Sequence, residues 1–202
     1  MKRELTAQLL HWKERVGRKP LILKGARQTG KTWLLKAFGK ENFRRTHYVN
    51  FETDTRFKTL FSAGLRPNRI LSQLALVLDE PIDTAHDLVV FDEIQLAPEA
   101  LTALKYFREE QPDLAVASAG SHIGLTVSGS AFPVGQVEYL TLYPLSFSEF
   151  LDAVRPALAD FLRNRPVREP VSDALHDALM RELRAYTAVG GMPEAVSAWR
   201  AA

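Results

Sequence analysis

Residues 25–32 read G-A-R-Q-T-G-K-T, which matches the G-x-x-x-x-G-K-T spacing of a phosphate-binding loop. The glycines allow the main chain to wrap closely, so that its N–H groups point at a polyphosphate. Lys31 would place its ammonium on the β- and γ-phosphates, and the Thr32 hydroxyl would ligate Mg²⁺. The run predicts a nucleotide site, whose candidate residues are Gly25, Ala26, Arg27, Gln28, Thr29, Gly30, Lys31, Thr32 and Trp33.

A second run with chemical potential is L-V-V-F at residues 88–91, which Asp92 and Glu93 follow. Such an apolar run is typical of a strand buried in a parallel sheet, and ligands bind at the carboxyl ends of these strands. Asp92 would hold Mg²⁺ directly or through a water, and Glu93 would polarise the attacking water. The alternative interpretation is a buried strand that ends in surface carboxylates.

Both motifs lie in a region where short apolar runs alternate with helical patterns, up to Tyr143. The first helix is expected over residues 3–16, with one apolar face formed by Leu5, Leu9, Trp12 and Val16. A helix that begins at Lys31 should end near Gly39, a residue suited to a C-cap. Strands are expected at residues 21–24, 46–51, 88–92, 114–119 and 137–142, with two helices in 55–79 and one from Pro98. This alternation predicts a three-layer α/β fold with a largely parallel sheet.

Past Tyr143 the strand patterns end and helical patterns continue. Ser146 and Glu149 form the spacing of a capping box, and Pro156 should kink or end the helix that follows. Residues 163–172 would link the helices of this region. We therefore expect a core over residues 1–143 and a helical lid over residues 144–202.

The composition limits the classes of function. The chain of 202 residues has no cysteine, which excludes disulfides and thiolate metal sites and suits a reducing cytosol. Its histidines, at positions 11, 47, 86, 122 and 176, are not spaced as metal ligands, so a zinc site is not expected. The N-terminus has no signal-peptide core and no run approaches a membrane span, so the expected location is cytoplasmic.

Positive charge is concentrated in the first part of the chain. Residues 1–45 hold 13 Lys/Arg against 3 Asp/Glu, although the net charge of the whole chain is only +2. Part of this excess would serve a polyanionic nucleotide. A nucleic-acid patch and an ordinary solvated helix face are the other interpretations of Lys36, Lys40, Arg44 and Arg45.

Five segments, taken together, carry a family resemblance. They are G-A-R-Q-T-G-K-T, V-V-F-D-E-I-Q, A-G-S-H-I-G-L, F-P-V-G-Q-V-E-Y-L-T-L-Y-P-L-S-F-S-E-F-L and V-G-G-M-P-E-A-V. In this order they closely resemble a family of bacterial and archaeal AAA-superfamily ATPases, over essentially all of residues 3–202. The resemblance implies an AAA-type P-loop core with sheet order 5-1-4-3-2 and a helical lid. Those proteins usually continue into a C-terminal domain similar to a restriction-endonuclease fold, which has no counterpart in residues 1–202.

The resemblance also implies roles for individual residues. Ser121 takes the place of the polar sensor that contacts the γ-phosphate or its water, with Ser118 as second choice and a helix N-cap before Ile123 as the other interpretation. Pro193 takes the place of the lid proline that lies against adenine. Gln136 stands where the family often has a basic residue, so no charge role is expected there.

These features predict a Mg²⁺-dependent ATP hydrolase that binds ATP and ADP. Its catalytic candidates are Glu93, Lys31 and Ser121, and its metal candidates are Thr32 and Asp92.

The expected turnover is slow. No Lys or Arg occurs between Arg108 and Arg155, whereas ring-forming AAA motors usually place an arginine finger just before the fifth strand. Such a finger can raise the rate about 10³-fold or more. We therefore expect a regulatory switch that is a monomer or weak oligomer, with Arg108 as the one alternative finger. A non-hydrolytic nucleotide-binding module and a nucleic-acid-associated ATPase stay open, as does a protein client.

Overall fold

The computed structural model describes residues 1–121, 135–166 and 168–201. Within these residues the strands form one five-stranded sheet in the order β2-β3-β4-β1-β5. The strands are β1 Leu21–Lys24, β2 Thr46–Asn50, β3 Leu88–Asp92, β4 Ala115–Gly120 and β5 Glu138–Thr141. Every pairing is parallel. The α/β class and the expected order 5-1-4-3-2 are confirmed.

The helices alternate with the strands up to β5 and follow one another after it. They are α1 Leu5–Glu14, α2 Lys31–Asn42, α3 Arg56–Ser62, α4 Pro67–Leu78, α5 Pro98–Glu110, α6 Phe147–Val154, α7 Pro156–Asn164, α8 Asp173–Val189 and α9 Pro193–Ala201. A 3₁₀ turn, Ile94–Leu96, joins β3 to α5. Several helices begin at a proline, because proline has a suitable φ and its missing N–H costs nothing at this position. None of the helices in the described residues is long and apolar enough to span a membrane.

The sheet is buried most deeply at its centre. Every residue of β3 and β4 is buried, which explains why both strands read as nearly continuous apolar runs. On one face, Phe91 of β3 contacts Phe61 of α3 and Phe107 of α5, with ring centroids 5.5 and 6.0 Å apart. This packing fixes the strand that carries Asp92.

Two expected features of the first helices are wrong. α1 ends at Glu14, and Val16 lies beyond it with 98% of its surface exposed, so Val16 does not join the apolar face. α2 does not end near Gly39 but continues to Asn42. Gly39 is needed for packing instead, since a Cβ there would lie 2.3 Å from the Thr46 side-chain oxygen.

The chain divides into two compact units, Ala7–Leu142 and a second unit of Met1–Thr6 with Tyr143–Ala202. In the second unit the expected capping box of Ser146 and Glu149 is present at the start of α6. Glu149 also accepts a buried hydrogen bond from Arg3 at 3.0 Å, which ties the N-terminal residues to α6. α6 ends at Val154 before Pro156, and the linker begins only at Arg165 because α7 extends to Asn164. The assignment of residues 144–202 as a lid stays a prediction.

We expect Gly39→Ala to destabilise the protein, although alanine favours a helix by about 1 kcal/mol. The added Cβ meets Thr46 Oγ1 at 2.3 Å and Cγ2 at 2.9 Å, so the helix or the strand must shift. The net loss should be about 1–3 kcal/mol in urea unfolding.

Thr46→Ala is the matched second change, because the Thr46 hydroxyl is buried without a hydrogen-bond partner among the described residues. The double variant should recover most of the loss. Equal losses in the single and double variants would show that the Thr46 contact is not the cause.

Candidate nucleotide-binding site

The loop between β1 and α2 is shaped by close main-chain contacts. A Cβ on Gly25 would lie 2.2 Å from the carbonyl oxygen of Leu142, so only glycine allows this approach. Gly30 has φ +91°, and Gln28 has φ +64°, a left-handed conformation that the sequence did not signal. Gly30 accepts the first hydrogen bond of α2 from Leu34 N–H at 2.9 Å. The turn therefore directs the N-terminus of α2, with its unpaired N–H groups, at the loop.

The ammonium group of Lys31 lies within the loop. The residue is 6% exposed, and Nζ donates to the carbonyl oxygens of Gly25 at 3.0 Å and Ala26 at 2.7 Å. It also donates to Ser121 Oγ at 3.1 Å, which brings the end of β4 to the loop. Burial lowers the pKa of Lys31, whereas the nearby charges of Glu93 and Asp92 raise it. A desolvated cation in this position attracts phosphate more strongly than one in water.

Thr32 and Asp92 supply oxygen ligands beside the loop. Thr32 Oγ1 donates to Asp92 Oδ2 at 2.7 Å, and Asp92 is only 1% exposed at the end of β3. The main-chain N–H of Glu93 donates to the other oxygen, Oδ1, at 3.0 Å. A hydroxyl and a carboxylate are hard ligands, and two protein ligands suit Mg²⁺, which keeps waters and binds substrate phosphates. The residues therefore fit the expected ion.

Sequence reasoning missed two polar residues of β2 that join this site. The Tyr48 hydroxyl donates to Asp92 Oδ2 at 2.6 Å, and Asn50 Nδ2 donates to the Tyr48 oxygen at 3.1 Å. Lys36 Nζ lies 3.6 Å from the centroid of the Tyr48 ring. Burial and the hydrogen bond to Asp92 both raise the pKa of Tyr48. The β-rich run T-H-Y-V-N was the one available signal, because the period of two in a strand places Tyr48 and Asn50 on the same face.

Glu93 has a different environment from its neighbour. Its φ of +52° is left-handed, a conformation that costs a non-glycine residue about 1–2 kcal/mol. Strain of this kind is concentrated at functional sites. Glu93 is half-buried, and its Oε2 accepts from Gln95 Nε2 at 2.5 Å. The hydrogen bond between Gln95 and Glu93 is another contact that the sequence did not predict.

The two serine candidates differ in their surroundings. Ser121 is 3% exposed and contacts Lys31, whereas its expected N-cap role before Ile123 falls on residues 122–134, outside the described residues. Ser118 is fully buried in β4 between Ile22 and Phe91, and its hydroxyl has no partner among the described residues. Ser121 is therefore the serine beside the loop.

The three remaining candidate residues have no described contact with Lys31 or Asp92. Trp33 is 54% exposed on the first turn of α2. Pro193 begins α9 in the second unit, and its adenine contact stays a prediction. Arg108 lies at the C-terminal end of α5, where a Cβ on Gly17 would be 3.7 Å from it. This position lies at the amino ends of the strands, whereas the loop lies at their carboxyl ends. Arg108 therefore does not act at the loop of its own chain.

Comparisons with known proteins agree on the fold. A family model described as an AAA domain matches residues 17–151. No curated protein sequence matches the chain. The solved structure of C. elegans PCH-2 is similar with a TM-score of 0.51 at 13% identity, and that of AMPPCP-bound DnaA from Aquifex aeolicus with 0.53 at 14%. Each alignment covers 96% of this chain but only 58% of the other chain.

We expect Lys31→Ala to weaken the binding of ADP on the order of 100-fold, because two or more charge-assisted contacts to phosphate are lost. Isothermal titration calorimetry measures the change. Lys40→Ala is the matched control, since Lys40 is an exposed lysine of the same helix. Unchanged affinity in Lys31→Ala would contradict the assignment of the loop.

Proposed function

Because the chain belongs to the AAA domain family, we propose that it binds ATP and hydrolyses it slowly to ADP and phosphate with the help of Mg²⁺. The observation that carries the proposal is the meeting of three strand ends at one loop. Lys31 Nζ is 3.1 Å from Ser121 Oγ, and Thr32 Oγ1 is 2.7 Å from Asp92 Oδ2. The A. aeolicus DnaA structure, which shares the fold, was solved with AMPPCP bound.

The proposed mechanism assigns one task to each side chain. Lys31 and the N–H groups of the loop bind the β- and γ-phosphates and oppose the charge that develops on them. Thr32 and Asp92 would hold Mg²⁺, which neutralises phosphate charge and orients the γ-phosphoryl group. Glu93 accepts a hydrogen bond from the attacking water and directs it in line with the bond that breaks. Ser121 donates a hydrogen bond to the γ-phosphate or to that water.

Two features support a low rate. The sequence has no Lys or Arg from residue 109 to residue 154. Arg108 lies at the amino ends of the strands, opposite the loop of its own chain. Residues 109–154 therefore offer no arginine finger of the kind that fast AAA and GTPase sites use. In addition, Gln95 donates to Glu93 Oε2 at 2.5 Å, so a water must share the carboxylate with this donor. We propose a regulatory ATPase, a switch that is set by nucleotide occupancy.

The non-hydrolytic module is the second candidate, and the Gln95 contact is the observation that favours it. If this hydrogen bond keeps the Glu93 carboxylate turned away from the attacking water, nucleotide would bind without turnover. The nucleic-acid candidate has less support. Arg44 is 3.3 Å from Asp83, and Arg45 donates to the Pro81 carbonyl at 3.5 Å. These contacts use part of the basic surface that would meet a phosphate backbone.

Substitution of the neighbouring carboxylates Asp92 and Glu93 should affect nucleotide binding and ATP turnover differently. Glu93→Gln should keep ADP affinity within about threefold and lower the turnover of ATP at least 100-fold, as expected for a lost general base. Asp92→Asn should weaken Mg²⁺-dependent binding about 10- to 100-fold as well, because it alters a metal ligand. Phosphate release and calorimetry measure the two effects.

Glu99→Gln is the matched control, since Glu99 is an exposed glutamate at the start of α5. Turnover that is equal in Glu93→Gln and in the wild type would exclude Glu93 as the base. A wild type that binds ADP but releases no phosphate would favour the non-hydrolytic module.

We further expect turnover below about 1 s⁻¹ per chain, independent of protein concentration. Without a cation offered by a neighbouring copy, association should not complete the site. Phosphate release measured across protein concentrations, beside light scattering, tests this. A rate that climbs steeply together with a hexamer-sized particle would show that a neighbour supplies a finger, and Arg108→Ala would then identify it.

A further inference from the structure

The carboxylate of Asp92 receives three hydrogen bonds from three different parts of the core. Its Oδ1 accepts from Glu93 N–H at 3.0 Å, and its Oδ2 accepts from Thr32 Oγ1 at 2.7 Å and from the Tyr48 hydroxyl at 2.6 Å. We propose that Tyr48 is a positioning residue for the cation site, which holds Asp92 Oδ2 in place beside Thr32. The proposal rests on the proposed function, since it concerns the ion that accompanies the nucleotide.

The direction of the Tyr48 hydrogen bond follows from its neighbours. Asn50 Oδ1 accepts from the main-chain N–H groups of Glu52 at 2.8 Å and Thr53 at 3.0 Å, which fixes the orientation of its amide. Asn50 Nδ2 must then donate to the Tyr48 oxygen, at 3.1 Å. A phenol has only one proton, and with its oxygen already accepting from Asn50 that proton goes to Asp92.

The ring of Tyr48 is also held from the side of α2. Lys36 Nζ lies 3.6 Å from the ring centroid, within the range of a cation–π interaction. Lys36 is on the helix that begins with Lys31, so one helix contacts Tyr48 and carries Thr32. The hydroxyl of Tyr48 therefore has a fixed position relative to that of Thr32.

Both hydroxyls donate to the same carboxylate oxygen, and this arrangement holds the carboxylate in place while Oδ1, with a single donor, keeps a lone pair for a cation or its water. The Thr32 hydroxyl donates its hydrogen bond to Asp92, so the lone pairs of its oxygen stay available for a metal ion. Without the Tyr48 hydroxyl, Asp92 Oδ2 would keep only the Thr32 bond and the carboxylate would rotate more freely. Mg²⁺ demands near-ideal octahedral geometry, and outer partners of metal ligands typically change affinity about 10- to 100-fold.

The test measures Mg²⁺ response rather than activity. ADP affinity of the full chain is determined by calorimetry in EDTA and at a series of Mg²⁺ concentrations. Tyr48→Phe should raise the Mg²⁺ concentration that gives half of the effect about tenfold, and should leave ADP affinity in EDTA within about twofold. Tyr139→Phe is the matched control, because Tyr139 lies on β5 at the other edge of the sheet with Lys24 5.4 Å from its ring.

A second pair of variants covers the case in which Tyr48→Phe folds poorly. Lys36→Met leaves the hydroxyl but frees the ring, and should raise the half-effect Mg²⁺ concentration about two- to fivefold. Lys40→Met removes an exposed lysine one turn further along α2 and should behave as the wild type.

Three results would overturn the proposal, and they are distinguishable. A normal Mg²⁺ response in both Tyr48→Phe and Lys36→Met would overturn it and leave the proposed function intact. Equal losses of ADP affinity in EDTA and in Mg²⁺ would show that Tyr48 only supports the fold. A wild type that binds no ADP would overturn the proposed function together with this inference.

Discussion

The parallel arrangement of the sheet is the constraint on which the site depends. The strands β1, β2, β3 and β4 all run in one direction. Their carboxyl ends therefore lie together at one end of the sheet. Residues far apart in the sequence, such as Lys31 and Ser121, come within 3.1 Å there. An antiparallel neighbour would carry its last residue to the opposite edge. The chemistry of the loop thus requires the long helical connections that parallel strands need.

Burial at this edge concentrates charge of both signs in a small volume. Lys31 is 6% and Asp92 1% exposed, and both have several hydrogen bonds, as buried charges must. Asp92 contacts the first turn of α2 through Thr32, and Lys31 lies within the loop. The low effective dielectric strengthens each of these interactions relative to water.

Much of this arrangement could be read from the sequence because the motifs are local. The loop, the run before Asp92 and the capping box at Ser146 are each defined by spacing within a few residues, and the strand order followed from the family resemblance. Tyr48 and Gln95 escaped prediction because their contacts depend on register between strands and on the left-handed turn at Glu93. The prediction of a helix end at Gly39 was wrong because the close packing of Gly39 against Thr46 cannot be read from local spacing.

The contact of Gly25 with Leu142 has a mechanical meaning. Leu142 N–H also donates to the Lys24 carbonyl at 2.8 Å, so two consecutive residues at the loop entrance touch the end of the edge strand. Leu142 is the last residue of its unit, and the chain passes directly from it to Tyr143. Both contacts are made by main-chain atoms, so a displacement of Leu142 would meet the loop directly.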